Sequence, residues 1–387
     1  MSLTLSTSPA GGAAEEPPPA TAPLMTMGVE EEFLLVDRTS RAPVGRGPRV
    51  IEAAARTLGP FVQPEFFTAQ VEVCTSPTSD TSALRADLAG LRAALVRAAD
   101  DEGCLLLASG TPVIPPERPL TVTPEARYRR MAADFASAVG ACDQVVSGCH
   151  VHVGVSGHAE ALRLANRMRP WLPTLQAVAA NSPFDRGRDS GYASWRSVEH
   201  ARWPTVGPAP VLDEAGYERV ADTLVRSGAV LDRRMIYWFA RPSEHVPTLE
   251  IRVADTNSDL DTVVLLAVLV RGLAATLREE PARGGPPPSL GYRALREAHR
   301  LAAVHGLAGD GLDLAAGRRV PAWELVWRLR ERAAPGLAAS GDLGRADELL
   351  GRLRERGGGA DRQRAAHRRR GRLGDVVDSL ARSTAAA

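Results

Sequence analysis

The feature that most constrains the fold is an alternation of polar and apolar side chains within four short segments. Because apolar residues recur at every second position over part of each segment, we predict strands at Gly28–Asp37, Ala69–Thr75, Gln144–Val155 and Thr248–Ala254. Residues i and i+2 share one face of a strand, so each segment has one apolar and one polar face. This pattern is typical of an antiparallel sheet with one side packed on the core.

The polar faces carry side chains that bind metals and anions. A strand face that only contacts solvent usually mixes Thr, Ser, Lys and Gln. For any single strand, such a solvent-exposed face is the alternative to a binding site. Here the polar positions are Glu30 and Glu32, Gln70 and Glu72, His150 and His152, and Glu250 and Arg252. Glu31 is an exception, a carboxylate on the otherwise apolar face of the first strand.

If the four strands are neighbours in one sheet, their carboxylates require a cation among them. Two of them about 5 Å apart repel by roughly 3 kcal/mol at an effective dielectric constant near 20. Carboxylates with an occasional imidazole suit Mg²⁺ or Mn²⁺, whereas zinc more often takes several His or Cys ligands. Arg252 beside Glu250 fits a site that holds a metal and the phosphate it bridges, although a salt bridge across the sheet is an alternative explanation for that pair.

The composition narrows the chemistry further. All 47 basic residues are arginine, and with 46 acidic residues the net charge is +1, which argues against nucleic acid as a partner. Schiff-base catalysis and a Walker-type phosphate loop both need a lysine, so both are excluded. The longest apolar run, which ends at Val270, is shorter than the roughly 20 residues of a membrane span, so we expect no membrane insertion.

The cysteines and the chain organisation give further expectations. Cys74, Cys104, Cys142 and Cys149 form no C-x-x-C pair, which fits reduced thiols and a cytoplasmic protein. We expect a disordered tail over residues 1–25 and a single domain over residues 26–385, helical from about residue 290. Residues 181–210 show no sustained helical or strand periodicity but are rich in aromatic and arginine side chains. Long segments of this kind are usually functional.

The chain contains, in this order, the motifs Gly28-Val-Glu-Glu-Glu-Phe33, Gln70-Val-Glu72, Ser147-Gly-Cys-His-Val-His-Val-Gly154, Asn181-Ser-Pro-Phe184 with Gly187-Arg-Asp189, Arg202-Trp-Pro204 and Thr248-Leu-Glu-Ile-Arg-Val-Ala-Asp255. Together they resemble the carboxylate–amine ligases of the glutamate–cysteine ligase type 2 group. The resemblance implies an α+β, glutamine-synthetase-like fold, with a curved, mostly antiparallel sheet and helices on its outer face. It also implies ATP and Mg²⁺, with Mn²⁺ as an alternative ion, and allows a homodimer.

The resemblance assigns roles residue by residue. The implied metal ligands are Glu30, Glu32, Glu72, His150 and Glu250. Glu65 and Arg252 would be catalytic, with Glu65 near the metal or the incoming amine and Arg252 on phosphate. Arg188, Arg196 and Arg252 would hold the nucleotide or the substrate carboxylate.

The implied reaction joins glutamate, or a similar acid, to cysteine or another amine. ATP phosphorylates the carboxylate, and the amine then displaces phosphate from the acyl phosphate. Metal ions and arginines neutralise the charge, so no protein nucleophile is required. Two alternatives stay open: a metal-dependent amidohydrolase that uses His150 and His152, and a catalytically silent protein that binds a nucleotide or a metal.

Overall fold

The computed structural model describes residues 24–140, 145–280 and 290–386. Its strands are β1 Met27–Asp37, β2 Val62–Pro64, β3 Gln70–Cys74, β4 Cys104–Leu107, β5 Gly148–Gly154, β6 Phe184–Asp185, β7 Arg188–Asp189, β8 Ala240–Pro242, β9 Thr248–Asp255, β10 Asp310–Asp313 and β11 Arg318–Pro321. Its α-helices are α1 Gly47–Leu58, α2 Thr81–Asp101, α3 Ala126–Asp134, α4 Ala136–Val139, α5 His158–Met168, α6 Leu172–Ala179, α7 Arg196–His200, α8 Glu214–Arg226, α9 Leu260–Glu279, α10 Tyr292–His305, α11 Ala322–Ala339, α12 Leu343–Arg356, α13 Gly359–Arg370 and α14 Leu373–Ala385.

The main sheet has seven strands in the order β2-β3-β1-β5-β9-β8, with β4 pairing the end of β1. Every pairing between these strands is antiparallel. The four strands predicted from alternation, β3, β1, β5 and β9, are therefore consecutive neighbours. This order brings their polar faces side by side.

The apolar face of the sheet packs against helices. Val29 of β1, Val151 of β5 and Ile251 of β9 belong to one buried cluster with side chains of α2, α5, α6, α9, α11 and α12. At the centre is α9, which is long and apolar enough to cross a membrane, yet 94% of its most apolar stretch is buried inside the protein. Helix α9 is therefore a core helix surrounded by protein.

Glu31, the acid on the apolar face, is fully buried and paired. The Nε and Nη2 atoms of Arg92 in α2 donate to its two carboxylate oxygens at 2.9 and 2.5 Å, and neither side chain is exposed. Arg92 also donates to the carbonyl oxygens of Asn257 and Ser258. This ion pair fastens the centre of β1 to α2 and to the start of α9.

The C-terminal part departs from the all-helical prediction at one place. The β10–β11 hairpin interrupts the helices between α10 and α11. Asp313 accepts hydrogen bonds from the backbone N–H groups of Ala315 and Ala316 and pairs with Arg328, and Gly317 has a positive φ of 65°. These short-range turn contacts override helix formation.

Two other expectations fall partly outside the described residues. Of the predicted tail, residues 1–23 lie outside them, and Met25 is buried in the core cluster. The described cysteines, Cys74, Cys104 and Cys149, are free thiols. Cys142 lies outside the described residues.

Candidate active site

Strand register brings the polar side chains together in pairs. Glu30 of β1 lies opposite His150 of β5, and Glu32 lies opposite Glu72 of β3. His152 lies opposite Glu250 of β9. All five predicted metal ligands therefore stand on one face of four adjacent strands, as directly opposed side chains share a face.

One group of possible ligands consists of Glu30, His152 and Glu250, whose ligand atoms lie within 4.8 Å of one another. The Glu30 carboxylate lies 3.2 Å from His152 Nε2 and 3.1 Å from His150 Nδ1. His152 is oriented by Thr248, whose Oγ1 is 2.8 Å from its Nδ1. This group joins carboxylate oxygens to an imidazole nitrogen, a donor set that suits Mg²⁺ or Mn²⁺.

A second group consists of Glu32, Glu65 and Glu72, again with ligand atoms within 4.8 Å. Glu65 comes from the segment between β2 and β3, and the Thr123 hydroxyl donates to its carbonyl oxygen. The Gly148 N–H donates to Glu32 Oε2 at 2.7 Å. The all-oxygen donor set is the one that Mg²⁺ prefers.

Burial and mutual repulsion act on this second group. Burial raises the pKa of Glu72 well above its ordinary value, and the charges of Glu30, Glu65 and Glu32 add to the effect. Burial also raises the pKa of Glu32, helped by Glu65, and that of Glu65 itself. A cation held between the three carboxylates would remove this repulsion.

In the first group, arginine and histidine side chains compensate the carboxylate charges. Burial would raise the pKa of Glu250, but Arg241 and Arg252 outweigh it and hold that pKa well below the ordinary value. Arg241 Nε donates to Glu250 Oε2 at 2.7 Å, and Arg252 pairs with the other oxygen. For Glu30, hydrogen bonds to His150 and His152 likewise overcome burial and lower the pKa.

His150 stands between the two groups. Its Nε2 is buried, has no hydrogen-bond partner in the described part of the chain, and lies 3.8 Å from Glu32 Oε1. Its Nδ1 lies 3.9 Å from Glu250 Oε1. A buried nitrogen without a partner, next to a carboxylate, fits a metal ligand, and burial followed by Arg252 lowers the pKa of His150 toward the neutral form that a metal needs.

Two of the three predicted arginines reach this site. Arg252 is buried against Glu250, with its guanidinium carbon 5.5 Å from the centre of the Tyr237 ring. Arg196 of α7 is 3% exposed and lies over Gly148, where an added Cβ would be 3.1 Å from the Arg196 Cζ. Arg188 is exposed on the β6–β7 hairpin and is not among the residues that line the cleft.

The cleft above the second group encloses about 730 Å³, part of it open to solvent. Glu32, Glu65, His150, Arg196 and Arg252 are among its charged or ionisable lining residues. Aromatic side chains line it as well. Linked edge-to-face contacts run from Phe66 to Trp203 at 5.5 Å and from Trp203 to Tyr237 at 6.3 Å.

Two residues at the site were missed. His152 was left out of the predicted ligand set, although its place two residues after His150 on the same strand face was a signal for it. Arg241, which neutralises Glu250, lies in the three-residue strand β8. A strand of three residues is too short to show an alternation, so no comparable pattern indicates Arg241.

The family model described as Glutamate-cysteine ligase family 2 (GCS2) matches residues 26–379. The chain belongs to this family. A Saccharopolyspora erythraea protein provisionally named glutamate–cysteine ligase 2-1 is 45% identical over 357 residues, covering 92% of this chain and 94% of that protein. A Frankia alni protein provisionally named glutamate–cysteine ligase 2-2 is 44% identical over 374 residues, covering 93% and 97%.

Solved structures share the fold. A glutamate–cysteine ligase from Francisella tularensis, in complex with AMP, superposes with a TM-score of 0.69 at 12% identity, covering 93% of this chain and 88% of that one. A bifunctional glutathione synthetase from Pasteurella multocida gives 0.69 at 16% identity, covering 94% of this chain and 52% of that one. The predicted α+β, glutamine-synthetase-like class is confirmed.

Proposed function

We propose that this chain is an ATP-dependent carboxylate–amine ligase that joins the γ-carboxylate of glutamate to the amine of cysteine or a related amine. The observation that carries the proposal is the pair of acidic ligand groups on adjacent strands, with buried arginines beside them. Phosphoryl transfer needs this combination, because ATP and the transferred phosphoryl group bring several negative charges to one place. Family membership supports the same assignment.

Each group of side chains has a distinct task in this proposal. Glu30, His152 and Glu250 would hold one Mg²⁺, and Glu32, Glu65 and Glu72 a second, with His150 between them. When bound, Mg²⁺ neutralises phosphate charge and polarises the γ-phosphoryl group of ATP. Mn²⁺ could take the same places.

The chain's own residues would orient the reactants. Arg252 and Arg196 would hold anionic oxygens of the phosphates and of the substrate carboxylate, since guanidinium groups match both shapes. A glutamate γ-carboxylate oxygen attacks the γ-phosphorus and ADP leaves. The amine then attacks the acyl carbon, phosphate leaves with that oxygen, and the amine proton passes to a nearby carboxylate.

Glu65, besides holding the second Mg²⁺, would face the incoming amine. It lines the cleft and is followed directly by Phe66, which lines it too. An amine placed between Glu65 and the aromatic side chains of the cleft would bring an apolar side chain into contact with them. A panel of amines is therefore part of the test.

The test is release of ADP from the purified protein with Mg²⁺, ATP and glutamate, with and without cysteine, and then with other amines. We expect ADP and an amide product in equal amounts, and only when both acid and amine are present. Absence of ADP with every pair would overturn the proposal. Amide hydrolysis without ATP would favour a hydrolase, and nucleotide-induced stabilisation without turnover would favour a silent binding protein.

A further inference from the structure

Asp255, at the end of β9, is a buried acid that belongs to neither ligand group. It is 1% exposed. Its Oδ2 accepts hydrogen bonds from the Asn181 N–H at 2.8 Å and the Ser182 hydroxyl at 2.6 Å, and its Oδ1 accepts from the Ser194 hydroxyl at 2.8 Å. All three donors lie in the segment that leads into α7. An added Cβ at Gly110 would lie 2.8 Å from the Asp255 Cγ, so a glycine there leaves room for the carboxylate.

A bulge in β9 turns Asp255 toward the site. Val151 pairs with Ile251, yet Cys149, two residues earlier, pairs with Ala254, three residues later. The extra residue in β9 breaks the alternation that would put Asp255 on the apolar face with Ile251. Asp255 instead pairs with Gly148, and directly opposed residues share a face.

The same carboxylate holds the backbone that carries Arg196. The Ser182 hydroxyl, which donates to Asp255, accepts the Arg196 N–H at 3.1 Å. The Arg196 guanidinium lies over Gly148, the residue paired with Asp255. Burial lowers the pKa of Arg196, and Asp255 is the strongest opposing charge, followed by Glu32.

We propose that Asp255 is a positioning residue that fixes the place of Arg196 and thereby sets the affinity of the cleft for an anionic substrate group. The proposal rests on the function proposed above, in which Arg196 binds a phosphate or a carboxylate. Asp255 itself touches no substrate. Its effect passes through the hydrogen bonds to Asn181 and Ser182, which hold the backbone that carries Arg196.

The test is the Asp255→Asn variant, assayed for kcat and for the KM of Mg-ATP and of glutamate separately. We expect the KM of one of the two to rise roughly 10- to 100-fold, the range for a hydrogen bond to a charged group. The KM that rises identifies the anionic group that Arg196 binds. If neither KM changes, the proposal is wrong.

A double variant separates positioning from general destabilisation. If Asp255 acts through Arg196, adding Asp255→Asn to Arg196→Gln leaves the KM of the Arg196→Gln variant unchanged. If the KM increases of the two single variants instead multiply in the double variant, the proposal is contradicted. Asp313→Asn is the matched control, because Asp313 is also a buried acid that accepts backbone hydrogen bonds, in the β10–β11 hairpin outside the cleft. We expect it to lower stability and leave both KM values unchanged.

A milder variant and a binding assay cover two further cases. If Asp255→Asn does not fold, Ser182→Ala removes the linking hydroxyl and should raise the same KM by a smaller factor. If the wild-type protein makes no ADP with any pair, the proposed function fails, and calorimetry with Mg-ADP and with glutamate tests Asp255 by itself. Weaker binding by Asp255→Asn but not by Asp313→Asn would support the positioning role, whereas equal binding, or no binding by the wild type, would overturn it.

Discussion

The buried pair between Glu31 and Arg92 allows a quantitative prediction about stability. Both side chains are fully buried, and the two carboxylate oxygens accept from Arg92 at 2.9 and 2.5 Å. Opposite charges about 3 Å apart attract by roughly 5 kcal/mol at an effective dielectric constant near 20. The Glu31→Gln variant keeps the shape but leaves the buried guanidinium without a counter-charge. We expect it to lower the free energy of unfolding by about 3–5 kcal/mol, the range for removing one partner of a buried pair.

Urea unfolding monitored by circular dichroism measures this change. The matched control is Asp100→Asn, which breaks the surface pair with Arg38, where the side chains are 51% and 46% exposed. Asp100→Asn should lower the free energy of unfolding by less than about 1 kcal/mol. If Glu31→Gln lowers the free energy of unfolding no more than Asp100→Asn does, with equal urea dependence in both, the buried pair does not stabilise the fold as expected. A double variant, Glu31→Leu with Arg92→Met, should be more stable than Glu31→Gln because it buries no unpaired charge.

Three more predictions address the site and the pH dependence. Glu250→Gln should lower ADP release by several orders of magnitude with an unchanged circular dichroism spectrum, and near-normal turnover would contradict its metal role. Gly148→Ala places a methyl group against the Arg196 guanidinium and should raise the KM of the substrate whose anionic group Arg196 binds roughly 10- to 100-fold in the same assay, whereas unchanged KM values would contradict the placement of Arg196. Burial lowers the pKa of His299 to about 3 from its ordinary 6.5, so the unfolded chain binds one more proton between these values. The contribution of His299 to the free energy of unfolding therefore falls by about 1.4 kcal/mol per pH unit as the pH drops below about 6.5. Urea unfolding at several pH values should show that the free energy of unfolding of His299→Asn depends less steeply on pH than that of the wild type.

The sheet and most of the site could be predicted from local patterns. Alternation identifies β1, β3, β5 and β9 and their polar faces, because a period of two is a property of each strand alone. It also identifies Glu31 as an exception. Its partner Arg92 lies 61 residues away, and no local pattern connects the two.

Other features depend on long-range contacts or on small irregularities. One extra residue in β9 moves Asp255 from the apolar face of the sheet to the polar face. The alternation of the residues that precede the bulge does not indicate this change. Arg188 and Arg196 look alike in sequence, but one lies on an exposed hairpin and the other is buried over Gly148. Their difference arises only when the loop packs against the sheet.

In the proposed reaction, ATP phosphorylates the carboxylate before the amine attacks. Glutamate labelled with ¹⁸O in its γ-carboxylate, together with ATP, Mg²⁺ and the best amine from the panel, tests this order when the label is followed by mass spectrometry. We expect one ¹⁸O in the released phosphate for each amide formed, because the attacking oxygen leaves with phosphorus. Unlabelled phosphate alongside amide formation would contradict it.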